Sequence, residues 1–210
     1  MPGVFVVVEG PDGAGKSTLA RWLSARLLAE GRTVVAVREP GGTPVAEAAR
    51  KIALKSRHDL GPVAELFLIL AARADLVARV IRPALAAGEI VLGDRFGLST
   101  LCYQVAGRGL PGPEVAAALR LATDGIEPDL TLVLDVPVAV GRERQRRAGK
   151  TQDRFESADD AFHERVRIAY VAARGAGVVH IDAAQSRAVV QEAAWRELAA
   201  VTALSSRGMA

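Results

Sequence analysis

The 210-residue chain contains one cysteine, two methionines, no asparagine and only 4% aromatic residues. A lone cysteine, Cys102, excludes an internal disulfide and fits a reducing compartment. Without asparagine there is no Asn-Lys-x-Asp signature, the one by which GTP-dependent switches recognise guanine. The scarcity of aromatics argues against a stacking platform for single-stranded nucleic acid. The longest uninterrupted apolar stretch, Leu66 to Ala72, falls far short of the ~20 residues that a membrane-spanning helix requires. The chain enters an apolar strand at once, with no charged n-region or cleavage site, so no export signal is expected and a cytoplasmic location is. Lysine is scarce too, at 4 against 23 arginines. Guanidinium forks suit phosphate, but abundant alanine and missing asparagine also point to a GC-rich genome. Arginine therefore carries meaning only where its position adds information. The net charge is +3, and the length suits one domain over 1–210.

What is present is concentrated near the start. Val4-Phe5-Val6-Val7-Val8 reads as a buried strand, and Gly10-Pro11-Asp12-Gly13-Ala14-Gly15-Lys16-Ser17 follows it. This is the phosphate-binding pattern G-x-x-x-x-G-K-[ST] in the context it needs, because Leu19, Trp22, Leu23 and Leu27 give the next helix its apolar stripe. Its glycines let successive N–H groups point at phosphate oxygens. Lys16 adds charge near the β- and γ-phosphates, and Ser17 offers a hydroxyl to Mg²⁺. The chain is therefore expected to bind a nucleoside triphosphate through Gly10, Gly13, Ala14, Gly15, Lys16, Ser17 and Thr18.

Four more short apolar strands are expected, at Thr33–Val37, Ile90–Gly93, Leu130–Val136 and Val178–Ile181, with helical patterns between them. Pro44 to Ser56, Pro62 to Ala87 and Pro111 to Thr123 read as three of those helices. This alternation predicts an α/β fold: a five-stranded parallel sheet with helices on both faces. The small, polar residues 204–210 are expected to be a frayed tail. In such sheets ligands sit at the carboxyl ends of the strands, where the informative residues lie. Arg38-Glu39-Pro40-Gly41-Gly42-Thr43 follows the second strand and Asp94-Arg95 the third. Asp94 is placed to hold Mg²⁺ and Arg95 to clamp a second phosphate. A basic segment from Arg142 to Arg154, partly bracketed by Gly141 and Gly149, reads either as a solvated helix face or as a flap closing over phosphates.

Together these residues resemble the thymidylate kinase family over about residues 3 to 200. The likeness rests on the phosphate loop in the form Gly-Pro-Asp-Gly-Ala-Gly-Lys-Ser-Thr, on the Arg-Glu-Pro-Gly-Gly-Thr turn, and on Ala71-Ala72-Arg73. It continues through Gly93-Asp94-Arg95, Ser99-Thr100, Tyr103-Gln104, Gly107-Arg108-Gly109 and Asp153-Arg154-Phe155-Glu156. It implies a P-loop nucleoside monophosphate kinase fold and transfer of the ATP γ-phosphoryl group onto dTMP with Mg²⁺. It also implies a homodimer formed through helices on one side of the sheet, with the apolar stripe of Pro62–Ala87 available for it. Carried over residue by residue, Lys16 and Mg²⁺ handle the donor. Arg38 and Arg95 grip the acceptor phosphate, and Ser17 with Asp94 organises the metal. Asp12 hydrogen-bonds the sugar 3′-hydroxyl and Tyr103 crowds the 2′ position. Glu39 and Pro40 belong to the substrate turn, and Arg73, Thr100 and Gln104 face the base edge.

Two positions mark this chain within that resemblance. Some members carry the catalytic arginine in the phosphate loop, where this chain has Gly13. The lid over about 141–156 is then expected to supply it from Arg144, Arg146 or Arg147. Where the family has a phenylalanine stacked on thymine, this chain has Ile69, one helical turn from Arg73 and on its face. The change leaves open a weaker hold on dTMP or a different pyrimidine deoxynucleotide, normal or modified. From another class, a nucleotide-dependent switch on the same loop is the rival. His58, His163 and His180 show no ligand spacing, and Trp22 and Trp195 read as packing.

Overall fold

The computed structural model describes residues 3–55, 59–149 and 153–207. The first strand, β1 (Val4–Glu9), is buried along its whole length and leads through the phosphate loop into α1 (Lys16–Ala29). Then come β2 (Val34–Arg38), α2 (Pro44–Lys55) and α3 (Pro62–Leu76). α3 runs on through a π-helical turn, Val77–Ile81, into α4 (Arg82–Ala86). Pro83 lies just past that turn and lacks the N–H an α-helix would use there. β3 (Ile90–Asp94) leads to α5 (Gly97–Thr100), which widens into a second π-helical segment, Leu101–Gly107. The remainder is α6 (Gly112–Thr123), β4 (Leu130–Asp135), α7 (Val138–Arg147), α8 (Asp160–Ala172), β5 (Val178–Asp182) and α9 (Arg187–Arg207).

All the strand pairs are parallel, in the order β2-β3-β1-β4-β5. Side chains alternate across β1, so its two faces feed different cores. Val4, Val6 and Val8 pack with Leu19, Leu23 and Leu27 of α1 and with Val190, Ala194 and Leu198 of α9. Phe5 and Val7 pack on the other face with Leu76, Val77, Ile81 and Phe96. The expected doubly covered sheet is therefore present. Each expected strand matches an observed one to within a residue at either end.

Four of the strands run one residue further than their apolar runs suggest, and those extra residues are charged: Glu9, Arg38, Asp94 and Asp182. Pairing sets Asp94 opposite Val8 on one side and Arg38 on the other. The register thus brings Glu9, Arg38 and Asp94 to one carboxyl edge. α9 continues through Arg207, beyond the expected start of the tail at 204. Ser56, His58, Lys150 and residues 208–210, about which the sequence raised expectations, lie outside the described residues. Among the described residues no helix is long and apolar enough to cross a membrane.

Candidate active site

A cleft of about 1340 Å³ opens along that edge. It exceeds the ~300–1,000 Å³ usual for one small ligand. Its lining includes eight arginines and Lys16 against five carboxylates, from a chain whose net charge is only +3. A cleft of this size and sign suits more than one phosphorylated ligand.

At one end lies the loop from Asp12 to Thr18. Gly15, in the left-handed region at φ 96°, precedes the first turn of α1, so the helix N-terminus opens onto the cleft. Gly10 does not line the cleft. A Cβ there would stand 2.2 Å from the Leu134 carbonyl oxygen, so its lack of a side chain lets the loop lie against β4. Gly13 has φ +77°, and a Cβ there would stand 2.2 Å from the carbonyl oxygen of Gly141. Conversely, a Cβ on Gly141 would come within 2.4 Å of the Asp12 carbonyl. The loop and α7 therefore meet backbone to backbone. An arginine at position 13 would have to push α7 away. Gly141, inside α7, sits at this contact, while Gly149 follows α7 with a left-handed backbone at φ +60°.

Lys16 folds back so that Nζ donates to the Pro11 carbonyl at 2.7 Å. Ser17 Oγ donates to Asp94 Oδ2 at 2.5 Å. A hydroxyl and a carboxylate side by side fit Mg²⁺, which takes few protein oxygens and leaves its other positions to water and phosphate. Among the described residues there is no cluster of three or more acidic, His or Cys ligands.

Arg95 lies at the middle of the cleft with φ 75°, a left-handed conformation costly for a side chain of this size. It pairs with Asp12 and reaches Ser99 Oγ at 3.1 Å, Tyr103 Oη at 3.1 Å and Tyr170 Oη at 3.2 Å. Burial alone would raise the Asp12 carboxyl. The nearby charges of Arg95 and Lys16, with a hydrogen bond from Tyr103, outweigh it and hold Asp12 below the usual range. Behind Arg95, buried Glu9 accepts from Phe96 N, Ser99 N, Ser99 Oγ and Tyr170 Oη at 2.7–3.1 Å. Glu9 and Tyr170 were not singled out from the sequence. Their meeting across 161 residues leaves no local pattern to find.

At the other end Arg73, almost wholly buried, donates to Glu39 Oε2 at 2.6 Å, to Thr100 Oγ1 at 2.7 Å and to the Phe96 carbonyl at 3.0 Å. Burial pushes Glu39 up to about 7, although Arg73 pulls the other way, and its Oε1 has no hydrogen-bond partner among the described residues. Ile69 lies beside Arg73 in a cluster with Leu54, Tyr103 and Phe155. Phe155 also lines the cleft, 5.5 Å from the Tyr103 ring centroid. Phe155 thus adds an aromatic ring to the cleft wall near Ile69. Tyr103 and Gln104 sit in the π-helical segment, and Pro40 and Arg38 border the same end. Arg50, not anticipated from sequence, adds a guanidinium there and donates to the Pro40 carbonyl at 2.7 Å.

The lid arginines separate. Arg144 and Arg146 line the cleft, and Arg144 Nη1 donates to the Ala183 carbonyl at 2.9 Å. Arg147 does not line it; its Nε donates to Glu143 at 2.7 Å, and Arg146 Nη2 pairs with the same carboxylate at 2.8 Å. Of the other conspicuous residues, Trp22 and Trp195 pack edge to face with Arg26 over both, and Cys102 is buried beside Tyr103.

A family model described as Thymidylate kinase matches residues 8–194. The chain is 51% identical over 175 residues to the thymidylate kinase of Cereibacter sphaeroides, covering 81% of each protein. It is 47% identical over 195 residues to that of Pseudomonas syringae pv. tomato, covering 91% of this chain and 92% of the relative. Against the Pseudomonas putida enzyme it is 48% identical over 195 residues, with the same coverage.

Proposed function

The chain belongs to the thymidylate kinase family of ATP-dependent nucleoside monophosphate kinases, and from that premise we propose how its cleft moves the γ-phosphoryl group of ATP onto dTMP to give dTDP and ADP. The observation that carries the proposal is one cationic cleft with a phosphate cradle at one end and Arg38, Arg50 and Arg95 further along it. The two ligands meet end to end, with the γ-phosphate near Lys16 and the acceptor phosphate at Arg95.

No general base is required. A phosphate monoester has its second pKa near ~6, so the acceptor oxygen is already anionic at neutral pH. The barrier is the approach of two anions, which cations and alignment lower. Lys16 leaves Pro11 to pair with the β- and γ-phosphates, and the loop N–H groups hold the rest of the chain. When bound at Ser17 and Asp94, Mg²⁺ screens the phosphate charge. Arg95 and Arg38, with Arg50, grip the acceptor phosphate, and Arg144 and Arg146 close from the lid. Asp12 exchanges part of its pairing with Arg95 for the sugar 3′-hydroxyl. Tyr103 crowds the 2′ position. Arg73 and Gln104 read the base against Ile69.

A panel of dTMP, dUMP and dCMP with Mg-ATP tests this reading. dTMP should give the highest kcat/KM. Equal or better turnover of dUMP or dCMP would defeat the assignment in favour of another pyrimidine deoxynucleotide. Ile69→Phe restores the family's ring and should lower the KM for dTMP ~3–10-fold, since stacking is worth ~1–3 kcal/mol per base and isoleucine already recovers part of it. A KM that rises clearly would mean that Phe155 and Leu54 leave no room for the ring.

A homodimer is supported by apolar side chains left facing solvent: Val63 and Phe67 one turn apart on α3, and Val45 and Ile52 seven residues apart on α2. Phe67→Asp should turn a dimer into a monomer by light scattering; a wild-type protein that is monomeric at micromolar concentration rules the dimer out. Dependence on ATP and a single free cysteine support a cytoplasmic location.

A further inference from the structure

Gln104 reaches the cleft with its amide held from behind. Its Nε2 donates to Glu65 Oε1 at 3.1 Å. Glu65, in the first turn of α3, is fully buried, and it also accepts from Arg108 Nε at 3.1 Å and Nη2 at 2.9 Å. Arg154 Nε, from the segment after the lid, lies 3.6 Å from Glu65 Oε2. Guanidinium groups only donate, so both carboxylate oxygens act as acceptors. An amide offers a carboxylate only its NH₂, so Gln104 has one orientation: Nε2 toward Glu65 and Oε1 away from it. That Oε1 has no hydrogen-bond partner among the described residues, and Gln104 lines the cleft.

We propose that Glu65 is the positioning residue that sets base selectivity, by locking Gln104 with its carbonyl oxygen toward the base. The inference rests on the reading of this end of the cleft as the base site. With Gln104 so locked, the site offers an acceptor beside the donor Arg73, whose guanidinium is itself fixed by Glu39, Thr100 and Phe96. An imide edge, with a ring N–H next to a carbonyl, matches both groups. The cytosine edge, with a bare ring nitrogen next to an amino group, opposes both. A site built to hydrogen-bond one edge strongly rejects its mirror, because buried polar groups are then left unpaired. Without Glu65 the amide is free to flip, and the Gln104 part of that discrimination is lost. The sequence carries a signal for this after all: Glu65 is the lone charge in the first turns of an apolar helix, four residues before Ile69 and eight before Arg73, on their face.

The experiment measures kcat/KM for dTMP and dCMP in wild type, Glu65→Gln, Glu65→Asp, Gln104→Leu and the Glu65→Gln/Gln104→Leu pair. Glutamine at 65 can donate to Gln104 and turn its NH₂ toward the base, so Glu65→Gln should raise the dCMP-to-dTMP ratio at least 10-fold. Glu65→Asp keeps a charge for Arg108 and Arg154 but withdraws from the amide; it should raise the ratio several-fold and keeps the test alive if Glu65→Gln does not fold. In the Gln104→Leu background the change at 65 should have no further effect on the ratio. A purely structural role for Glu65 predicts equal falls for both substrates, and that result, or an undiminished ratio change without Gln104, overturns the proposal. Wild-type turnover of dTMP in the same assay establishes the acceptor site, so an unmoved ratio counts against Glu65 alone.

Discussion

Replacing Lys16 with methionine should reduce transfer at least ~10³-fold while raising the melting temperature of the ligand-free protein by several degrees. Lys16 is buried, with one hydrogen bond among the described residues, to Pro11. Burial, and then the charge of Arg95, push its ammonium down to about 8, although Asp12, Asp94 and Glu9 pull the other way. At pH 7 the group is charged in the folded and unfolded chains alike, so folding costs about 3 kcal/mol there. The cost fades as pH rises from about 8 toward 10.5, where the folded protein gives up the proton first, so the ligand-free wild type gains stability across that window. Methionine keeps the apolar stem and removes the charge, and the freed Pro11 carbonyl returns ~1 kcal/mol of the gain. At this chain length each kcal/mol moves the melting temperature ~2–4 °C. The site thus holds a buried cation at a cost to stability, a trade of stability for activity. A scanning calorimetry trace showing Lys16→Met less stable than wild type would mean that the lysine holds the fold instead.

The Arg144→Ala/Arg146→Ala double variant should lose ~10³-fold or more in kcat with the KM for dTMP changed only a few-fold, because an arginine meeting transition-state charge acts on turnover rather than on acceptor binding. The backbone contact between Gly13 and Gly141 is why the burden falls here: the phosphate loop has no room for the charge. Arg147→Ala should stay within ~5-fold of wild type, since its side chain lies outside the cleft that Arg144 and Arg146 line. Steady-state kinetics with dTMP varied at saturating ATP separates these outcomes. A double variant near wild type, or Arg147 as the critical position, would show that the lid closes in a different register.

The phosphate loop, the strand order of events along the chain and the strand-end cations were legible because each is local: a run of β-branched residues, then a turn, then a charge. Strand ends were read one residue short because hydrophobic pattern stops where function starts, at Glu9, Arg38 and Asp94. The π-helical segment carrying Tyr103 and Gln104 gave no sign of itself, since an extra residue in a turn changes no residue type. Nor did the groups that hold Arg95 in place, and Glu65 behind Gln104 showed only as a lone charge in the first turns of an apolar helix, with no partner in view. Glu9 meets Tyr170, and Glu65 meets Arg108, only in the folded chain. Charged residues so far apart read as solvated until the fold buries them together. The three neighbouring lid arginines looked equivalent in the sequence, and helical phase alone would group Arg144 with Arg147 rather than with Arg146, which with Arg144 lines the cleft.

The central claim is that two phosphorylated ligands meet end to end in the arginine-lined cleft. Single-turnover transfer from ATP labelled in its γ-phosphoryl group tests it most directly, with enzyme in excess and dTMP present or absent. The label should appear in the β-position of dTDP, at a rate no slower than steady-state ADP release, and ADP formation should depend on dTMP. Label released only as inorganic phosphate, at the same slow rate with or without dTMP, would contradict it.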